Sequence, residues 1–208
     1  MEVVLDVYQR PYDPKHPVVC MDEASKQLLA DVFEPLPAKP GHMAKEDSNY
    51  ERHGTCNLFV AFEPMCGWRD VTVTDRRTKC DWADYVKQIV DEMYSDAERI
   101  TLVCDQLNTH TLASLYEAFE PQEAHRLARK LEIIHTPKHG SWLNMAEIEF
   151  CALTRQCLDQ RIPDKTSLIR HTHAWMHERN HIGTSVEWRF TTTDARVKLA
   201  SLHPKPLL

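Results

Sequence analysis

The sequence predicts an α/β domain built on one mixed sheet with helices on its faces. Three observations carry this. Strand-like and helix-like segments follow in the order three strands, helix, strand, helix, strand, helix, which suits a partly parallel sheet with covering helices. Two short apolar runs, Val18–Met21 and Ile100–Cys104, read as buried strands. Each is followed at once by an aspartate, Asp22 or Asp105.

The elements follow from local chemistry. Pro11, Pro14 and Pro17 make residues 1–17 read as a lead-in. Val18–Asp22 is the first strand. Residues 31–55, rich in Pro and Gly and then in charge, predict a long surface loop. Asn57–Phe62 and Asp70–Thr74 predict two strands joined by a turn over 64–67. Thr78-x-x-Asp81 is a capping-box pattern, and Trp82, Tyr85, Val86, Ile89, Val90 and Met93 continue at helical spacing. Residues 111–119 and 122–130 predict short helices broken at Pro121, with Leu131–His135 the fifth strand. Helices are expected over 144–160 and 165–181, separated by Pro163, and a short one after Thr192. The expected division is a lead-in over 1–17, one domain over 18–200 and a tail over 201–208.

Composition sets bounds. The chain has 208 residues, 42% apolar and 27% charged, with a net charge of −6. That describes a globular protein, and it argues against a module living on non-specific DNA contacts. The seven cysteines form no C-x-x-C pair, so zinc ribbons and thioredoxin-like chemistry are unsupported and a reducing cytosol is expected. No apolar run reaches the ~18–20 residues of a membrane span.

Ligands of α/β sheets gather beyond the carboxyl ends of strands. Asp22 and Asp105 on adjacent strands would repel unless one took a proton or a divalent cation lay between them. A third acid comes from the stretch Pro137–Glu147, which leads from a loop into a helix. Glu147 shares a face with Leu143 and Phe150, whereas Glu149 lies about 200° around the helix. Only one of the two can face the sheet, and this company favours Glu147. Taken singly, each aspartate reads as a turn residue or cap, and Asn144-x-x-Glu147 as a capping arrangement.

The blocks Val19–Glu23, Leu102–His110 and His135–Glu147 resemble the three catalytic blocks of bacterial insertion-sequence transposases of the mariner superfamily. The resemblance runs from about residue 17 to 200. It implies a ribonuclease-H-like DDE endonuclease domain that cleaves DNA phosphodiesters and transfers strands during transposition. Asp22, Asp105 and Glu147 would then be the catalytic and metal-holding acids. The cofactor implied is Mg²⁺ or Mn²⁺, two ions when DNA is bound. The partners implied are DNA, as element ends and target, with a homodimer as a candidate assembly. The place implied is the bacterial cytoplasm, at the nucleoid. Lys138, His139 and Trp142 are candidate DNA contacts, the last by stacking. Gln106, Asn108, His110 and Asn144 are candidates to support the acids, with Asn108 and His110 either orienting water or capping the 111–119 helix. The chain departs from the pattern at Gln106, where Asn is usual. Its interval from Asp105 to Glu147 is also longer than typical. Helix-turn-helix domains precede the catalytic domain in full-length relatives and are not seen here, so an isolated catalytic domain or truncated gene is expected.

Two other classes compete. His177-Glu178-Arg179-Asn180-His181 matches the H-E-x-x-H zinc signature, with His173 one turn earlier. Arg179 and Asn180 are poor residues for a buried metalloprotease helix. The other class is an inactive or regulatory transposase-derived protein. The intact acids argue against a decayed site.

Overall fold

The computed structural model describes residues 1–45 and 47–200; the expected tail over 201–208 lies outside the described residues. Five strands form one sheet: β1 (Val18–Asp31), β2 (Tyr50–Glu63), β3 (Trp68–Thr74), β4 (Ile100–Cys104) and β5 (Leu131–His135). Their spatial order is β3-β2-β1-β4-β5. The first three pair antiparallel, whereas β4 runs parallel to both β1 and β5. The sheet is mixed, as expected.

Side-chain alternation along the strands sends two cores to opposite faces. Met21, Ala61, Leu102 and Cys104 face α2 (Lys79–Gln88), α3 (Leu112–Ala118) and α4 (Pro121–Lys130), where Trp82, Val86, Leu115 and Leu127 are buried. The Thr78–Asp81 capping box closes at the start of α2, and a π-helical turn over Ile89–Met93 extends it. On the other face, Leu58, Val60 and Val71 meet Phe150, Leu153, Leu168 and Trp175. These come from α5 (Ala146–Leu153) and α6 (Lys165–Ile182). Asp164 caps α6, and Gly183 ends it in the left-handed conformation.

The structure differs from the sequence expectation in three places. Residues 2–8 form α1 (Glu2–Tyr8), whose Val4, Leu5 and Val7 are buried beside Cys20, Phe62, Val103 and α7 (Thr192–Lys198). The prolines that suggested a lead-in all follow this helix. Next, β1 runs on to Asp31 and pairs with β2 from Tyr50, so part of the expected loop is a hairpin. The first six residues of β2 are exposed, which leaves no apolar alternation to read. Finally, Asp22 sits inside β1, not at its end. Among the described residues, no helix is long and apolar enough to cross a membrane.

Candidate active site

The register of the sheet brings the acids together. The parallel pairing of β1 with β4 ends at Cys20 against Val103. Two residues further on each chain lie Asp22 and Asp105, with the same phase and hence the same face. That face carries α5, with Glu147 in its first turn. Asp22, Asp105 and Glu147 line one cleft of about 350 Å³, together with Glu23, Arg77, Ser141, Asn144 and Phe150.

Asn144 joins the two sides of the cleft. It is buried, and its amide nitrogen donates to Met21 O at 2.9 Å and to Asp22 Oδ2 at 3.4 Å. Its Oδ1 accepts from the Ala146 amide at 3.2 Å. This residue fixes the start of α5 against β1. The capping box read as Asn144-x-x-Glu147 does not form, because Met145 is the N-cap and its side chain makes no cap bond.

The acids differ electrostatically. Burial, with the negative charges of Glu147, Asp105 and Glu23, pushes the Asp22 carboxyl up to about 7, against the Glu23 amide that donates to Oδ1 at 2.8 Å. Burial would also raise Asp105, but His110 and the Leu107 amide outweigh it and hold that carboxyl below its ordinary value. His110 is fully buried, with Nδ1 2.7 Å from Asp105 Oδ1 and Nε2 2.9 Å from Glu23 Oε2. Burial opposes charge on the ring, yet Asp105, Cys104 and Glu23 push its pKa up to about 12. Two carboxylates beside the ring favour its protonated form.

Glu147 is exposed, whereas Glu149 is buried. Glu149 faces the sheet, paired with Arg69 Nε on β3 and Arg179 Nη2 on α6, each at 3.0 Å. The expectation that Glu147 is the one facing the sheet is thus corrected. A carboxylate in the interior needs a partner, and Arg69 supplies one that lies too far along the chain for helical spacing to show. Glu147 opens instead onto the cleft.

The other candidates fall around this centre. Lys138 and His139 are exposed on the turn before α5, with His139 at φ 62°, a left-handed conformation that non-glycine residues seldom adopt. Trp142 is 48% exposed, its ring stacked on Trp188 and set edge-on to Phe190. None of the three lines the cleft itself. Gln106 and Asn108 are exposed on the loop after β4. Neither Asn108 nor His110 caps α3, because the N-cap is Thr111 and no side chain bonds there. Sequence reasoning missed Arg77, a cleft-lining cation from the loop between β3 and α2, and the role of Glu23. Arg77 lies outside the three blocks, and the partner of Glu23 is far from it in sequence.

Three carboxylates from β1, β4 and α5, with oxygen donors only, suit a hard divalent cation. The acids share a cleft rather than a closed cage: among the described residues, no three His, Cys, Asp or Glu side chains are gathered closely enough to hold a metal ion. The same holds for His173, His177 and His181. Those side chains are exposed on α6, while Arg179 and Asn180 turn inward to Glu149 and Arg69.

A family model for the DDE superfamily endonuclease matches residues 17–169. No curated protein sequence matches the chain. Among solved structures, the Mos1 transposase paired-end complex with left transposon end is similar at TM-score 0.57 and 15% identity, over 88% of this chain and 55% of that one. The Mos1 strand transfer complex gives 0.58 and 14%, over 88% and 54%. The Mos1 mariner paired-end complex with Mn gives 0.55 and 14%, over 88% and 56%. This likeness is one of fold, the ribonuclease-H-like fold expected above. The chain spans about half the length of the Mos1 chains it matches.

Proposed function

The chain belongs to the DDE superfamily endonucleases, and on that premise we propose that it is the catalytic domain of a mariner-type transposase, cleaving DNA and transferring the freed strand. The observation that carries this reading is the meeting of Asp22, Asp105 and Glu147 in one cleft from three separate elements. The fold neighbours are transposases in complex with transposon ends or in strand transfer, which makes DNA the partner we assign.

Asp22, Asp105 and Glu147 would hold Mg²⁺ or Mn²⁺, which when bound supplies charge neutralisation at the phosphate and a more acidic attacking water. The remaining work falls to the chain's own groups. No side chain is placed as a nucleophile; water attacks first, and the 3′-hydroxyl it leaves attacks the target phosphate. Asn144 holds the Asp22 carboxyl against β1. Arg77, Lys138 and His139 would meet phosphate oxygens, and the outward face of Trp142 would stack on a base or ribose. Gln106 and Asn108 flank Leu107, which lines the cleft from the loop after β4. The domain proper would run over 18–200, with α1 packed against it.

The test is nicking of a labelled duplex by the chain with Mg²⁺ or Mn²⁺, beside Asp105→Asn. Metal-dependent nicking that Asp105→Asn abolishes is expected. Nicking that survives in Asp105→Asn would place the chemistry elsewhere.

A further inference from the structure

We propose that His110 is a positioning residue of the acid site: its ring is clamped between Glu23 and Asp105 and sets the carboxylate of Asp105 for the metal. The inference rests on the acid site proposed above. Glu23 directly follows Asp22 in β1, and Asp105 directly follows β4. The clamp therefore ties the two acid-bearing strands together just beyond the point where their pairing stops.

The geometry is that of a built device. The His110 side chain is 0% exposed and that of Glu23 2%. The ring stacks on Trp82 of α2, with centroids 5.8 Å apart and planes 29° apart. The ring nitrogens stand 2.7 Å from Asp105 Oδ1 and 2.9 Å from Glu23 Oε2, close contacts whose angles fall outside hydrogen-bond geometry. Asp105 Oδ1 accepts from the Leu107 amide at 3.1 Å and lies against His110 Nδ1. A buried glutamate serving packing alone would be costly beside an apolar residue of its size. Holding a histidine that holds a metal ligand gives it a purpose, and such outer partners commonly set metal affinity by 10–100-fold.

The experiment is Mn²⁺ titration followed by electron paramagnetic resonance of the free ion, with melting temperature measured without metal. The proteins are wild type, Asp105→Asn, His110→Asn and His110→Phe. Phe keeps the ring against Trp82 and loses both nitrogens. Asn keeps a donor where Nδ1 stood. We expect His110→Phe to weaken Mn²⁺ binding by roughly 10–100-fold and His110→Asn to recover most of that loss. A purely structural histidine would lower the melting temperature of both variants and leave Mn²⁺ affinity unchanged, which overturns the proposal. If His110→Phe does not fold, Glu23→Gln tests the clamp from its other end: weaker Mn²⁺ binding at unchanged melting supports it, and unchanged binding overturns it. If wild type binds no Mn²⁺, or Asp105→Asn binds as wild type does, the acid-site reading fails first and the clamp with it.

Discussion

Replacing Asp22 by Asn should stabilise the metal-free protein above neutral pH and not below pH 4. The Asp22 carboxyl moves from an ordinary 3.8 to about 7 in the fold. Between those values the native state keeps a proton that the unfolded chain has released. Native protein then binds more protons than unfolded, so stability falls as pH rises through this window. The cost of ionising Asp22 is absent at pH 4, accumulates toward pH 7 and is complete above it. Taken whole, the displacement corresponds to roughly 4 kcal/mol. Water in the cleft screens part of this, and ~2 kcal/mol is expected. Asn cannot ionise; its one oxygen can accept from Asn144 or from the Glu23 amide but not both, a loss that does not depend on pH. Asp105 carries the opposite sign, being held low, but it is common to both proteins and cancels. The assay is urea unfolding of wild type and Asp22→Asn at pH 4.0 and pH 8.0 in chelator, where the variant should gain only at the higher pH. Equal differences at both pH values would refute the reasoning, since a charge-independent packing change behaves that way.

The two glutamates of α5 should separate cleanly. Glu147→Gln should leave urea stability nearly unchanged while abolishing metal-dependent nicking. Glu149→Gln should cost ~3 kcal/mol or more, because it strips Arg69, itself fully buried, of its ion pair. Gly67→Ala should destabilise by about 1–3 kcal/mol in the same unfolding assay: its φ is +70° and an added Cβ would lie 2.8 Å from the Gly183 and Thr184 backbone. Arg77→Gln should lower the slope of log affinity against log salt for duplex DNA by about one phosphate contact, measured by fluorescence anisotropy in Ca²⁺, and an unchanged slope would remove Arg77 from the interface.

What the sequence discloses follows the range of the forces involved. Strand β4 and its terminal Asp105 are legible because a wholly buried strand is a continuous apolar run. Helix α2 is legible because its capping box and its apolar spacing are both local. The far half of the β1–β2 hairpin is not, since its β2 residues face water on both sides and alternate nothing. Helix α1 is masked by three prolines beyond its end. The choice between Glu147 and Glu149 turns on Arg69, far away in sequence and adjacent only in the fold. His110 is a candidate from its block in the sequence, but its pairing with Glu23 shows only when β1 and β4 are set side by side.

The central claim is that Asp22, Asp105 and Glu147 form one cation-binding centre. The most direct measurement is anomalous diffraction from crystals of the chain soaked in Mn²⁺. An anomalous peak is expected within coordination distance of the carboxylates of Asp22 and Asp105, with Glu147 drawn toward it. A peak on the exposed histidines of α6 with none at the acids, in crystals whose cleft is open to solvent, would contradict it.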